Sequence, residues 1–169
     1  MSKVKRKLSG VYLLPNLITT SALFCGFYSI ILSIAENYSE SVLYILVAMI
    51  LDGLDGRVAR LTNTQTTFGE YYDSLSDMLC FGVAPALLIY ISSLSGFTAG
   101  YISKIAYIAC FIYIAATTIR LARFNSRNQS TDKKYFVGLA SPAAAAILIC
   151  YVWLITDLNL NAEFYVFYT

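Results

Sequence analysis

Apolar residues in this chain come in long runs, not in period-two alternation, and polar segments separate the runs. The pattern predicts five helices, over residues 17–35, 42–60, 68–92, 101–125 and 139–155. Each is close to the length of about 20 residues that a helix needs to cross a bilayer. The connections are a short polar loop at 36–41, a Thr/Asn/Gln-rich turn at 61–67, a Ser/Gly loop at 93–100 and a charged loop at 126–135. After a polar break at 157–161, an aromatic stretch at 163–169 reads as the start of a sixth span, cut before it can cross. The expected fold is therefore all-α: one domain over 1–169, a polytopic transmembrane helical bundle of five complete spans plus a truncated sixth. The first span is too long for a signal peptide, and no small-residue cleavage site follows it.

Composition strengthens this picture. Of 169 residues, 58% are hydrophobic and only 13% charged, outside the soluble globular norm. The chain contains no histidine, which excludes His-based zinc sites, Ser-His-Asp triads and phosphohistidine chemistry. Cys25, Cys80, Cys110 and Cys150 are widely spaced within apolar stretches and are expected to act as small buried hydrophobes. Ala115, Ala116, Ala140 and Ala143 to Ala146 suit close packing of the last two helices. Tyr71, Tyr72 and Trp153 are read as packing or interfacial residues.

Charge distribution predicts orientation. Eleven of the twelve Lys and Arg residues fall in the N-terminal tail (Lys3, Lys5, Arg6, Lys7), at Arg57 and Arg60, or between Arg120 and Lys134. These are alternate connections, and only Lys104 lies on the other side. The positive-inside rule then places the N-terminus and the 120–134 region in the cytoplasm. Lys133 and Lys134 are expected near anionic lipid.

The exception to apolarity is the segment LDGLDGRVARLTNTQTTFGEYYDSLSD, residues 51–77. Asp52 and Asp55 are three apart, and Asp73 and Asp77 four apart, so each pair shares one helical face. Two such helices joined by a tight turn bring the four carboxylates together. They would repel unless cations compensate. Oxygen-only ligands suit Mg²⁺ or Mn²⁺, and two such ions form the usual clamp for phosphoryl displacement. The blander alternative is interfacial acids paired with Arg57, Arg60 and water. The acids follow the apolar run 42–51 and precede the run 78–91, so they should lie at the cytoplasmic headgroup level. A site for a transported ion more often lies near the midplane.

Arg120 and Arg123 share a face near the cytoplasmic end of the fourth helix, with Asn125 following. One guanidinium could bind a substrate carboxylate bidentately; the alternative is simple cytoplasmic anchoring. Ser141-Pro142 opens the fifth helix, with Pro near the first helical position and Ser141 read as the cap in preference to a substrate contact.

The acidic segment fills every position of the pattern D-x2-D-G-x2-A-R-x8-G-x3-D-x3-D with Asp52, Asp55, Gly56, Ala59, Arg60, Gly69, Asp73 and Asp77. In this it resembles the CDP-alcohol phosphotransferases. The segments Pro15 to Thr19, Phe81 to Ala86, Arg120 to Asn125 and Phe136 to Ala145 look like the members of that family that take serine as acceptor. Ala140 stands where those enzymes often carry Pro. The resemblance implies transfer of a phosphatidyl group from CDP-diacylglycerol to L-serine, in the cytoplasmic membrane of a prokaryote, with the active site facing the cytoplasm. Asp52, Asp55 and Asp73 would hold two divalent cations, Mg²⁺ or Mn²⁺, with Asp73 shared. Asp77 would hold one cation and serve as the catalytic general base. The CDP-lipid set would comprise Asn16 and Thr19 at the diphosphate, Gly56 where the nucleotide approaches the backbone, Arg60, Thr66 and Gly69. Arg120, Arg123 and Asn125 are the serine-binding set. A homodimer among membrane lipid is implied, and no nucleic-acid partner is expected. Two alternatives stand beside this: another acceptor, glycerol 3-phosphate or inositol phosphate, which should demand a denser basic cluster; and, from a different class, a divalent-cation transporter.

Overall fold

A computed structural model describes residues 13–94, 101–128 and 140–157. The basic N-terminal tail, the segment at 163–169 and Lys133/Lys134 lie outside the described residues. All regular structure within them is helical: α1 (Leu13–Ile34), α2 (Tyr38–Leu61), α3 (Thr67–Asp77), a π-helical segment (Met78–Val83), α4 (Ala84–Leu94), α5 (Tyr101–Asn128) and α6 (Ser141–Asp157). Because α3, the π segment and α4 run on without a break, the described residues form five rods at the predicted places.

Five complete spans do not follow from five rods. Among the described residues, three stretches are long and apolar enough to cross a membrane: Leu14–Ile34, Thr67–Ser92 and Lys104–Ser126. α2 falls short by composition, because Glu40, Asp52, Asp55, Arg57 and Arg60 interrupt it. Its C-terminal half is committed to a polar site rather than to lipid. α6 falls short by length, with 17 residues described.

Two tight connections set the register. At the α1–α2 turn, Glu36 takes a left-handed φ of 62° and the Asn37 N–H donates to Leu32 O at 2.9 Å. Beside it, three buried serines clasp the helices: Ser33 Oγ and Ser41 Oγ lie 2.8 Å apart, and Ser41 Oγ donates to Ser29 O at 2.9 Å. Hydroxyls at such an apolar interface gain by bonding across it. At the α2–α3 turn, Asn63 takes φ 51°, a conformation Asn tolerates better than most residues. Thr64 N–H then donates back to Ala59 O at 3.1 Å. Thr66 caps α3, its Oγ1 accepting from Gly69 N–H at 3.0 Å. Beyond this turn α3 packs against α1.

α1 packs most extensively against α2. One core joins α2, α4 and α6 through Val42, Ile45, Ala84, Leu88, Ile149 and Val152. A second, nearer the acids, holds Cys25, Ala48, Cys80, Phe81 and Ala145. Gly26 lets α1 approach the π segment closely, since a Cβ there would sit 2.6 Å from Cys80 Sγ. The expectation of four buried cysteines holds for Cys25 and Cys80. Cys110 is half-buried and Cys150 exposed, because α5 and the outer side of α6 turn apolar faces away from the bundle.

Candidate metal centre and substrate cleft

The acidic cluster forms where α2 and α3 meet at one end of the bundle. Asp52, Asp55 and Asp73 each turn a carboxylate oxygen inward, and the three oxygens lie within 4.8 Å of one another. Asp77, one turn beyond Asp73, brings its carboxyl beside that of Asp52. The convergence expected from spacing therefore occurs. It requires the α2–α3 turn, which brings the two acid-bearing faces to one place, and α1, which packs against both helices.

α1 contributes a residue that spacing could not place. Thr19 Oγ1 donates to Asp55 Oδ2 at 2.6 Å and lies 3.1 Å from Pro15 O. A hydroxyl has one proton to give, and the shorter contact, to a carboxylate, takes most of it. Thr19 and Asp55 are both buried, which fixes this wall of the cluster.

The residues present fit divalent cations. Asp73 Oδ1 and Asp77 Oδ1 are buried without a hydrogen-bond partner, and buried polar atoms left so call for an explanation such as an ion. The donors are all carboxylate oxygens, the set that hard cations such as Mg²⁺ and Mn²⁺ prefer. Four carboxylates so close are also electrostatically costly. At an effective dielectric of about 20, two unit charges about 5 Å apart repel by roughly 3 kcal/mol.

A cleft of ≈ 130 Å³ opens beside the cluster, walled by the start of α1, the end of α2, the α2–α3 turn and the first turns of α3. Of the sequence-predicted CDP-lipid residues, Asn16, Thr19, Gly56, Thr66 and Gly69 line it, and so do Asp55 and Asp73. Gly56 has open space where a Cβ would stand, so its backbone is approachable. Gly69 plays a different part. A Cβ there would lie 3.1 Å from Thr66 Oγ1 and 3.5 Å from Asn16 Oδ1, so glycine lets α3 close against its own cap and against α1. Arg60 is not in the lining; its Nε donates to Gly56 O at 2.9 Å, folding the side chain along its own helix. Thr64, Gln65 and Glu70 line the cleft and were missed. Their signal was the polar turn itself, since a turn joining two ligand-bearing helices must edge the site they form.

The residues expected from the sequence to bind serine lie towards the same end of the bundle. Asn125 Oδ1 accepts from Ser74 Oγ at 3.1 Å, and Ser74 directly follows Asp73. Arg120 Nη2 donates to Ser141 Oγ at 3.1 Å. Ser141 is thus the first residue of α6 with its hydroxyl turned to Arg120, rather than the expected cap. Arg123, three residues further along α5, is exposed. Among the aromatics, Tyr72 OH lies 2.9 Å from Thr20 Oγ1 across the α1–α3 contact, while Tyr71 and Trp153 are exposed.

Comparison with known proteins agrees with this architecture. A family model described as CDP-alcohol phosphatidyltransferase matches residues 12–168. A Helicobacter pylori protein named CDP-diacylglycerol–serine O-phosphatidyltransferase is 40% identical over 148 residues, 87% of this chain and 60% of that protein. Proteins of the same name from Methanocaldococcus jannaschii and Saccharomyces cerevisiae are 35% and 36% identical, over 88% and 75% of this chain and 65% and 48% of their own lengths. This chain thus spans about 60% of the length of the Helicobacter relative. No solved structure matches. With the family model matching nearly end to end, and the acids, glycines and cleft disposed as described, the chain belongs to the CDP-alcohol phosphatidyltransferase family.

Proposed function

We propose that this protein transfers the phosphatidyl group of CDP-diacylglycerol to the hydroxyl of L-serine, releasing CMP. The observation that carries the proposal is the carboxylate cluster with its two unpartnered buried oxygens, set in the wall of a cleft lined by Asn16, Gly56 and Gly69. The names of the relatives support serine as the acceptor.

Asp52, Asp55 and Asp73 would hold two divalent cations, with Asp73 shared and Asp77 on one of them. Divalent cations in such a site neutralise a diphosphate and the charge that builds on the departing nucleotide. The remaining work falls to the chain. Thr19 orients the Asp55 carboxylate. Gly56 leaves the α2 backbone open to the cytidine nucleotide. Asp77 takes the serine hydroxyl proton on a carboxylate oxygen. The serine oxygen then bonds to the lipid-bearing phosphorus, and the bond from that phosphorus to the CMP oxygen breaks. Arg120, half-buried against Ser141, is placed to hold the serine carboxylate, with Asn125 and Ser74 beside it.

The same proposal carries an orientation. The acids, the end of α5 and the start of α6 gather at one end of the bundle, and among the described residues Arg57, Arg60, Arg120 and Arg123 belong to these same segments, so that end faces the cytoplasm. α2 and α6 would cross with the three apolar rods, in a prokaryotic cytoplasmic membrane, as one domain. A homodimer is carried over from the family resemblance. α5 exposes Ile105, Ile108, Phe111 and Ile112, a face that suits lipid or a second copy.

The test is an acceptor screen. Purified protein with Mn²⁺ or Mg²⁺ is given CDP-diacylglycerol and, in turn, serine, glycerol 3-phosphate, inositol phosphate or inositol, and CMP release is measured. Serine alone should support release. Release driven by another acceptor, or none with serine, would overturn the assignment.

A further inference from the structure

Pro85 sits within the α3–α4 rod, with Ala84, Pro85 and Ala86 all buried. Proline has no N–H to give, and its ring crowds the carbonyl four residues earlier. Here that carbonyl belongs to Phe81, which is itself fully buried. In an apolar, membrane-crossing rod such a carbonyl must find another donor, and neighbouring helices commonly supply it.

Two features of the structure answer that need. The helix widens into the π segment Met78–Val83, with Ala84 N–H reaching back five residues to Leu79 O. From α5, the Tyr113 hydroxyl donates to Phe81 O at 2.7 Å. The segment is held on both sides. On the α5 side, a Cβ at Gly82 would lie 3.5 Å from Thr117 Cγ2. On the α1 side, Cys80 Sγ donates to Ala22 O at 3.3 Å. The π segment begins at the residue after Asp77. Each residue added to a helical turn rotates what lies on one side of it by about 100° relative to the other. The widened turn therefore sets the direction in which Asp77 and Asp73 face when α4 is docked in the core.

We propose that Tyr113 is a positioning residue for the acidic cluster: its hydroxyl holds the π geometry that Pro85 imposes, and that geometry aims Asp77 at Asp52. The inference rests on the metal-dependent reading of the cluster given above. It assigns Tyr113 no contact with substrate. It gives the proline a role beyond tolerance: Pro85 creates the widened turn, and Tyr113 stabilises it one turn away from the acids.

The test uses the full chain in detergent micelles. Mn²⁺ binding is read from the electron paramagnetic resonance signal of free Mn²⁺, and the half-saturating Mn²⁺ concentration from CMP release. The variants are Tyr113→Phe, Pro85→Ala and both together, with Tyr107→Phe, an exposed ring on the same helix, as control. Tyr113→Phe should weaken Mn²⁺ binding roughly tenfold, the usual scale for residues behind the ligands, and raise the half-saturating concentration equally. Pro85→Ala should do the same while its thermal midpoint holds or rises, since the helix regains an N–H donor. Tyr107→Phe should match the wild type. A purely structural hydroxyl would leave Pro85→Ala with wild-type Mn²⁺ affinity and let it rescue Tyr113→Phe in the double variant; that result overturns the inference, as does wild-type affinity in Tyr113→Phe. A wild-type protein that binds no Mn²⁺ and releases no CMP would sink the functional reading itself, and this inference with it.

Discussion

Replacing Thr19 by Val is the sharpest probe of how the cluster is built. The Thr19 hydroxyl sits 2.6 Å from Asp55 Oδ2. Thr19 is 5% and Asp55 4% exposed, so little of this contact is open to solvent. Valine keeps the shape and removes only the hydrogen bond. A hydrogen bond to a charged acceptor is worth about 1.5–3 kcal/mol, which corresponds to roughly 10- to 100-fold in an equilibrium constant. The assay is Mn²⁺ binding to the purified protein, followed by the resonance signal of free Mn²⁺. Thr19→Val should bind Mn²⁺ at least about tenfold more weakly, and Thr19→Ser should recover most of the loss. The opposite pattern would refute the reasoning: unchanged Mn²⁺ affinity with a raised KM for CDP-diacylglycerol. That would mean the hydroxyl serves the lipid diphosphate, as the family resemblance implies, and not the carboxylate.

Asp77→Asn should retain CDP-lipid binding better than turnover, because the amide keeps the shape but cannot take a proton; equal loss of both would remove the base role. Arg120→Ala should raise the KM for serine roughly tenfold, the scale of a lost charge-assisted contact, and more than Arg123→Ala does, since Arg120 is turned to Ser141 and Arg123 is exposed; an unchanged serine dependence in both would end the carboxylate-binding proposal. Gly26→Ala should destabilise by about 1–3 kcal/mol, the usual cost of overpacking, because its Cβ would meet Cys80 Sγ at 2.6 Å and Cys80 Cα at 3.1 Å. Adding Cys80→Ala should restore part of the lost thermal midpoint, and no gain in the double variant would show that the backbone contact dominates.

Much of the site was legible from spacing. Helical periodicity is a local property, so the offsets 52/55 and 73/77 reported shared faces without any knowledge of the fold. The polar turn at 61–67 announced that the two faces would meet, and the run from Asp52 to Asp77 matched a family pattern at every fixed position. Less legible was how many rods cross a membrane. α2 is apolar in its first half and carries acids and arginines in its second, so it is not apolar enough along its length to count as a span.

By itself, then, the sequence determined an all-helical, strongly apolar chain, the acidic residues that converge and the family. Those properties follow from local periodicity, composition and short-range pattern. Tertiary structure decided which residues support the acids. Thr19 meets Asp55 from 36 positions away, Ser74 meets Asn125 from 51, and Tyr113 meets Phe81 from 32. No periodicity links such pairs, because each depends on how separate helices dock. Pro85 shows the boundary most clearly. Its missing N–H can be read from the sequence, but the donor that replaces it, and the widened turn it leaves beside Asp77, exist only once α5 lies against the π segment.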